Sequence, residues 1–169
     1  MLLRHLLSIL FLPFLAAVVI PFWLLTSFAW IDHRWAAGTA VVWLPRLSGA
    51  LVVAFGLCLL IWCIYLFVRF GQGTIAPWNP TRKQVAAGPY RFVRNPMIIG
   101  VALVLSGQAI FWGSWVIALW TCIFILVNHF YFVFSEEPGL EKRFGQSYLI
   151  YKANVPRWLP RTRPWRGLE

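Results

Sequence analysis

Five acidic side chains serve the whole chain of 169 residues, and two of them stand side by side as Glu136-Glu137 where an apolar run ends. Neighbours on a helix point about 100° apart, so the two carboxylates suit different tasks. One can accept hydrogen bonds from a cationic or hydroxyl-bearing ligand while the other pairs with Arg91, Arg94 or Arg143. A second cluster is Gly88-Pro89-Tyr90-Arg91-Phe92-Val93-Arg94-Asn95-Pro96. Asn is favoured at an N-cap and Pro at the first helical position, so Asn95-Pro96 predicts a helix start facing a basic loop. Such a terminus binds a carboxylate or phosphate, and Arg91 and Arg94 add charge-assisted bonds. The same residues admit a structural reading, in which the arginines meet lipid phosphates and the glutamates complement a helix dipole. Asn128-His129 lies inside the apolar run, and His129, seven residues before Glu136, is expected on the same helical face. Polar groups in a spanning helix are functional candidates. Ser106 and Gln108 offer the structural alternative of hydrogen bonds to Asn128 or His129 across a helical hairpin. Tyr90, Tyr148 and Tyr151 suit either a ligand ring or an interface anchor. No Ser, Cys or Lys sits in an activating motif, and no Walker or dinucleotide glycine loop occurs, so the chemistry depends on positioning more than on covalent intermediates.

The elements that must hold these groups are membrane helices. The chain is 60% hydrophobic and 12% charged, with a mean hydropathy of +0.71, far from the roughly 25% charged residues of a soluble domain. Many of its 11 Trp stand at the ends of apolar runs, where amphipathic rings favour the headgroup zone. The formal charge of +10 flanks apolar segments and forms no stripe, which argues against nucleic acid and for anionic lipid headgroups. Four runs approach the roughly 20 residues that cross a bilayer. They cover about Leu6 to Trp30, Leu47 to Phe70, Pro96 to Trp112 and, after a tight turn at Trp112-Gly113-Ser114-Trp115, on to Phe134. The first exceeds a signal-peptide core and carries Pro13 and Pro21, which should kink it. The third is short, so the last two are expected to form a tilted hairpin. Only Arg34 and Arg46 lie between the first two runs, against five Lys/Arg from Arg69 to Arg94 and seven after Phe134. The positive-inside rule then places both termini, the glycine-started loop and the tail in the cytosol.

The expected fold is therefore all-α and polytopic, one membrane domain over 1–169. It divides into two spanning helices (1–70), a cytosolic loop (71–96), a helical hairpin (97–134) and a cytosolic tail (135–169). The loop from Gly71 to Pro80 is broken by glycines and prolines yet apolar at Ile75, Ala76 and Trp78, which suits a lid or entry wall at the membrane surface. In the tail, Ser135 is the expected N-cap of an amphipathic helix of about 18 residues with Leu140, Phe144, Tyr148 and Tyr151 on one face. Val155-Pro156 ends it. Cys58, Cys63 and Cys122 read as small buried apolar residues, and no metal-ligand spacing accompanies them.

The segment Gly88 to Gly100, together with Glu136-Glu137, Phe144-Gly145, Tyr148, Tyr151 and Val155-Pro156-Arg157, resembles the isoprenylcysteine carboxyl methyltransferase and phospholipid methyltransferase superfamily. The likeness covers about Arg82 to Pro160. It implies an integral membrane enzyme, expected in a bacterial inner membrane, that takes S-adenosyl-L-methionine from the cytosol and a lipophilic acceptor from the bilayer. Carried over by position, Arg82, Lys83, Gln84, Val85, Gly88, Tyr90, Asn95, Pro96, Met97, Ile98 and Glu136 line the cofactor pocket. Glu137, His129 and Arg94 are the candidate catalytic residues. The family usually reads Arg-His-Pro-x-Tyr where this chain has Arg94-Asn95-Pro96-Met97-Ile98. Its carboxyl-methylating members carry an acceptor-holding Arg where this chain has Phe132, which leaves an amine, thiol or other lipid-borne acceptor open. A non-catalytic membrane module, such as a ligand sensor, accessory subunit or small transporter, is the alternative from another class. A sterol-reductase-like protein fits less well, since the chain is short and lacks a dinucleotide fingerprint.

Overall fold

The computed structural model describes residues 12–32, 35, 42–70 and 86–167. Arg82, Lys83, Gln84 and Val85 lie outside the described residues, as do the lid expected at Gly71–Pro80 and the start of the first apolar run. Among the described residues every regular element is helical: α1 is Leu12–Ser27, α2 Trp43–Phe70, α3 Pro96–Trp112, α4 Trp115–Tyr131, α5 Glu137–Phe144 and α6 Gln146–Asn154. Among the described residues the apolar runs thus become helices, but not four of bilayer length. Two stretches, Trp43–Leu66 and Trp115–Phe144, are long and apolar enough to cross a membrane, whereas Leu12–Ser27 and Pro96–Trp112 are shorter. At 1.5 Å per residue the 17 residues of α3 rise about 25 Å, less than a hydrocarbon core of roughly 30 Å.

Two prolines decide how α1 and α4 run. Proline cannot donate to the helical ladder, and its ring presses on the carbonyl four residues earlier. A preceding turn widened to i→i+5 lets the chain continue. In α1 the π turn Leu15–Val19 closes with the Ile20 N–H on the Leu15 carbonyl, one residue before Pro21. The π turn Phe132–Glu136 closes in the same way, with the Glu137 N–H on the Phe132 carbonyl one residue before Pro138. Ser135 is therefore no N-cap, and α4 passes without a break into α5. The expected 18-residue tail helix is instead two short helices parted at Gly145, whose φ of 54° glycine tolerates.

The donor missing at Pro21 has a second consequence. The carbonyls of Ala16 and Ala17, left without their helical N–H, accept from Trp120 Nε1 (3.0 Å) and Gln108 Nε2 (2.7 Å). Gln108 thus ties α3 to α1 and does not reach Asn128, whose own amide donates to Phe124 O at 2.8 Å within α4. A backbone carbonyl stranded in an apolar environment costs about 1–3 kcal/mol. Gln108→Leu should lower the thermal midpoint of the detergent-purified protein accordingly. An unchanged melting curve would show that another donor takes its place.

α2 and α3 pack antiparallel along a glycine seam, Gly49 against Gly107 and Gly56 against Gly100. The α3–α4 hairpin turns at Gly113 (φ 67°), and Ser114 caps α4 by accepting from the Ile117 N–H while donating to Asp32 at 2.7 Å. Trp35 and Trp115 donate to the carbonyls of Ile110 and Ile31 at the same end. Leu60, Cys63, Leu66, Tyr90, Met97, Val101, Leu105 and Phe124 form the core. Of the cysteines, Cys63 is buried but Cys58 and Cys122 lie on outward helix faces, where an apolar phase receives them equally well.

Candidate functional site

The loop and the tail meet at the end of the bundle where α3 begins and α4 leaves. Gly88, at φ 54°, starts a 3-10 turn over Gly88–Arg91 and lies against Leu66 and Trp62 of α2, where a Cβ would stand 2.8 Å from Leu66 Cδ1. Tyr90 is thereby driven into the core, with its hydroxyl bonded to Cys63 and its carbonyl accepting from Tyr151 Oη at 2.7 Å. Burial raises the pKa of Tyr90 and of Tyr151 well above the ordinary phenol value. The tail after α6 then runs back along the loop. Arg94 N–H donates to Pro156 O (2.9 Å), Arg161 N–H to Phe92 O (3.0 Å) and Trp165 N–H to Arg91 O (2.8 Å). Arg91 Nε returns a bond to Trp165 O at 2.6 Å.

Glu137 fastens this assembly. Its carboxylate accepts from Arg94 Nη1 at 2.8 Å and, bidentately, from Arg157 Nε at 2.7 Å and Nη2 at 2.9 Å, with Lys152 Nζ at 3.3 Å. Lys152 also pairs with Glu141. The Glu137 side chain is only 5% exposed and that of Arg94 11%, so three cations from three segments converge on one buried acid. Tyr148 beside it stays neutral, its phenol pushed up to about 12 by burial first and by the Glu137 charge second. Of the partners foreseen for a glutamate, Arg94 is the one found; Arg91 goes to Trp165, and the side chain of Arg143 lies over the ring of Phe144. Lys152 and Arg157 carried no pairing signal, because the break at Gly145 brings Lys152 round to α5 and Arg157 needs the further turn at Val155-Pro156. Glu137 and Arg94 thus position the loop and the tail, with each side chain's charge spent on the other.

The π turn separates Glu136 from its neighbour. By adding a residue to the interval it rotates Glu136 about 100° from the face of His129, so the expected shared face is lost. His129 instead accepts from Trp158 Nε1 through Nδ1 at 3.0 Å, with the two rings stacked. Indole donates only, so Nδ1 holds the lone pair and the neutral ring carries its proton on Nε2. His129 therefore presents a donor on its free side. Phe132 and Trp158 pack edge to face beside it. Glu136 is half-buried, and among the described residues no hydrogen bond or ion pair reaches its carboxylate, although its charge acts on both Tyr90 and Tyr148.

Asn95 occupies the N-cap position of α3 but makes no capping bond, contrary to expectation, and its Nδ2 is buried without a partner among the described residues. Its φ of −121° and ψ of 55° turn the side chain away from the first N–H groups. Pro96 and Met97 are buried, Met97 within the core, while Gly88, Asn95 and Ile98 are partly exposed. The expected cofactor set therefore divides into core residues (Tyr90, Pro96, Met97) and surface-reaching ones (Gly88, Asn95, Ile98, Glu136).

These features define a helical membrane protein whose loop and returning tail are joined by a buried ion-pair cluster. The chain belongs to the phospholipid methyltransferase family, whose model matches residues 44–147. The matched stretch runs from the first turn of α2 to α6 and includes Gly88, Arg94, Asn95, His129, Glu136 and Glu137. An uncharacterized protein of Haemophilus influenzae is 36% identical over 63 residues, which is 37% of this chain and 100% of that protein. No solved structure gives a significant match.

Proposed function

We propose that the protein is an integral-membrane methyltransferase that uses S-adenosyl-L-methionine and methylates a lipophilic acceptor drawn from the bilayer. The reading rests on family membership and on one structural observation: where the loop meets the end of α4, a buried amide donor, Asn95 Nδ2, and a carboxylate, Glu136, both lack a hydrogen-bond partner among the described residues. Those groups fit a cofactor with acceptor atoms and cationic centres. Bound there, it would supply an electrophilic methyl group. Asn95, Ile98 and Gly88 would hold it at the start of α3, with Glu136 balancing its positive charge. Direct transfer requires in-line positioning and no covalent enzyme intermediate, which agrees with a site whose strongest bonds fix a loop against a tail. Phe132 and Trp158 present an aromatic wall beside His129 and no cation, so the acceptor is one whose reacting atom is an amine or another group without a carboxylate. Four membrane-crossing helices, cytosolic termini and a bacterial inner membrane complete the proposal, with α3 crossing a locally thinned bilayer.

Isothermal titration of the detergent-purified protein should show saturable cofactor binding, weakened about tenfold or more in Glu136→Ala and in Asn95→Leu, as for loss of a charged or buried hydrogen bond. Absence of binding by well-folded protein would sink the reading. Commitment of the His129 lone pair to Trp158 favours a second reading, a ligand sensor that binds without turnover. Membranes incubated with methyl-labelled cofactor decide between them by whether any labelled lipid forms.

A further inference from the structure

The segment beyond Pro156 is more basic than a clamp requires. Residues 155–167 hold Arg157, Arg161, Arg163 and Arg166 and no acid, and only Arg157 is spent on Glu137. Arg161, Arg163, Pro164 and Arg166 line a concavity of about 560 Å³ on the tail. Its backbone is fixed. Pro160 and Pro164 restrict φ, the Arg161 and Trp165 N–H groups are bonded to the loop, and Trp165 packs edge to face on Tyr151 at 5.3 Å. Arg161 also donates to Asn154 O at 2.7 Å. Arg163 and Arg166 are exposed, and among the described residues neither guanidinium has a partner.

Guanidinium forks match the oxygens of a phosphate, and a concave set of them on a rigid backbone loses little entropy on binding one. Leu159, 81% exposed beside Trp158, adds an apolar residue of the kind that enters the headgroup region. The tail is joined to the loop at the bundle end from which α3 and α4 project, so the concavity lies where a bilayer surface would be. We infer that Arg161, Arg163 and Arg166 form a binding site for the phosphate headgroup of an anionic membrane lipid, distinct from the candidate site at Glu136. The inference does not depend on methyl transfer.

Native mass spectrometry of the full chain in neutral detergent, titrated with dioleoyl phosphatidylglycerol or phosphatidylcholine, tests it. The wild type should retain one phosphatidylglycerol in preference to phosphatidylcholine. R163Q/R166Q should weaken that adduct about 25-fold, each arginine near an anionic surface being worth roughly a factor of five. K142Q/R143Q removes the same charge from α5 and should leave the adduct intact. Equal loss in the two double variants would reduce the effect to net charge and overturn the site, as would equal retention of the two lipids. Binding of inorganic phosphate with the same arginine dependence, in protein that retains no phosphatidylglycerol, would overturn the lipid assignment in favour of a soluble anion. Unchanged melting of R163Q/R166Q, expected because neither side chain holds the fold, keeps the loss attributable to the site.

Discussion

Glu137→Ala is expected to release the tail from the loop and to abolish cofactor binding together with any methyl transfer. The substitution removes the one acid that Arg94, Arg157 and Lys152 share, at N···O distances of 2.8, 2.7 and 3.3 Å. Removing one partner of a buried ion pair costs about 3–5 kcal/mol, mainly because the remaining charges are left uncompensated. Arg94 and Arg157 dominate that cost. Lys152 is 37% exposed and water can solvate it, so its share is small. The expected loss is comparable with the lower end of a whole domain's stability, about 5–15 kcal/mol. Limited trypsin digestion is the direct measurement, since Arg157 and Arg161 become cleavage sites once the tail lifts. Glu137→Asp, which keeps the charge on a shorter stem, should recover part of the protection. A Glu137→Ala protein that melts like the wild type and resists trypsin would show that the backbone bonds to Phe92 and Arg91 hold the tail unaided. Glu136→Ala, by contrast, should leave the fold intact and weaken only the ligand, which separates the two neighbouring acids by function.

That division was readable in outline from two adjacent carboxylates pointing apart, but which acid does which task was not. The assignment depends on the π turn at Phe132–Glu136, and the turn depends on Pro138 being absorbed inside a helix. Sequence rules favour a proline at a helix start, so they placed a new helix at Ser135 where the chain runs on. Pro21 sits at the same spacing after its own π turn, and there the result was the unforeseen role of Gln108. The apolar runs, the Gly113 turn and the helix start at Pro96 were legible because each follows from local composition or backbone geometry. The clamp was not, because Arg157 is 20 residues from Glu137 and meets it only after two breaks, at Gly145 and Val155. Asn95 misled for a related reason: its residue type suits a cap, but the backbone angle imposed by the loop turns its side chain elsewhere.

The glycine seam was open to the same reading and was passed over. Gly49 and Gly56 are seven residues apart, as are Gly100 and Gly107, and two helical turns return each pair to one face. A Cβ on Gly107 would meet Gly49 O, Val53 N and Val53 Cγ2 at 2.7 Å, and one on Gly49 would meet Phe111 N at 2.6 Å. These neighbours are largely backbone, which cannot swing aside, so even Gly107→Ala must push α2 and α3 apart. Overpacking of this kind costs about 1–3 kcal/mol, and the upper end is expected here. At Gly100 the nearest atoms stand at 3.1 and 3.2 Å, so Gly100→Ala needs only a slight shift and should be the mildest of the four. Separation of the helices would also reach the candidate site, because Asn95 leads directly into α3 and a displacement of about 1 Å can cost two orders of magnitude in rate. The ranking is checked by the thermal midpoints of purified Gly107→Ala and Gly100→Ala and by cofactor affinity in each. Gly107→Ala should fall furthest in both. Equal midpoints for the two variants would mean that α2 and α3 approach each other less closely than the seam requires, and that Asn95 is placed by the loop alone.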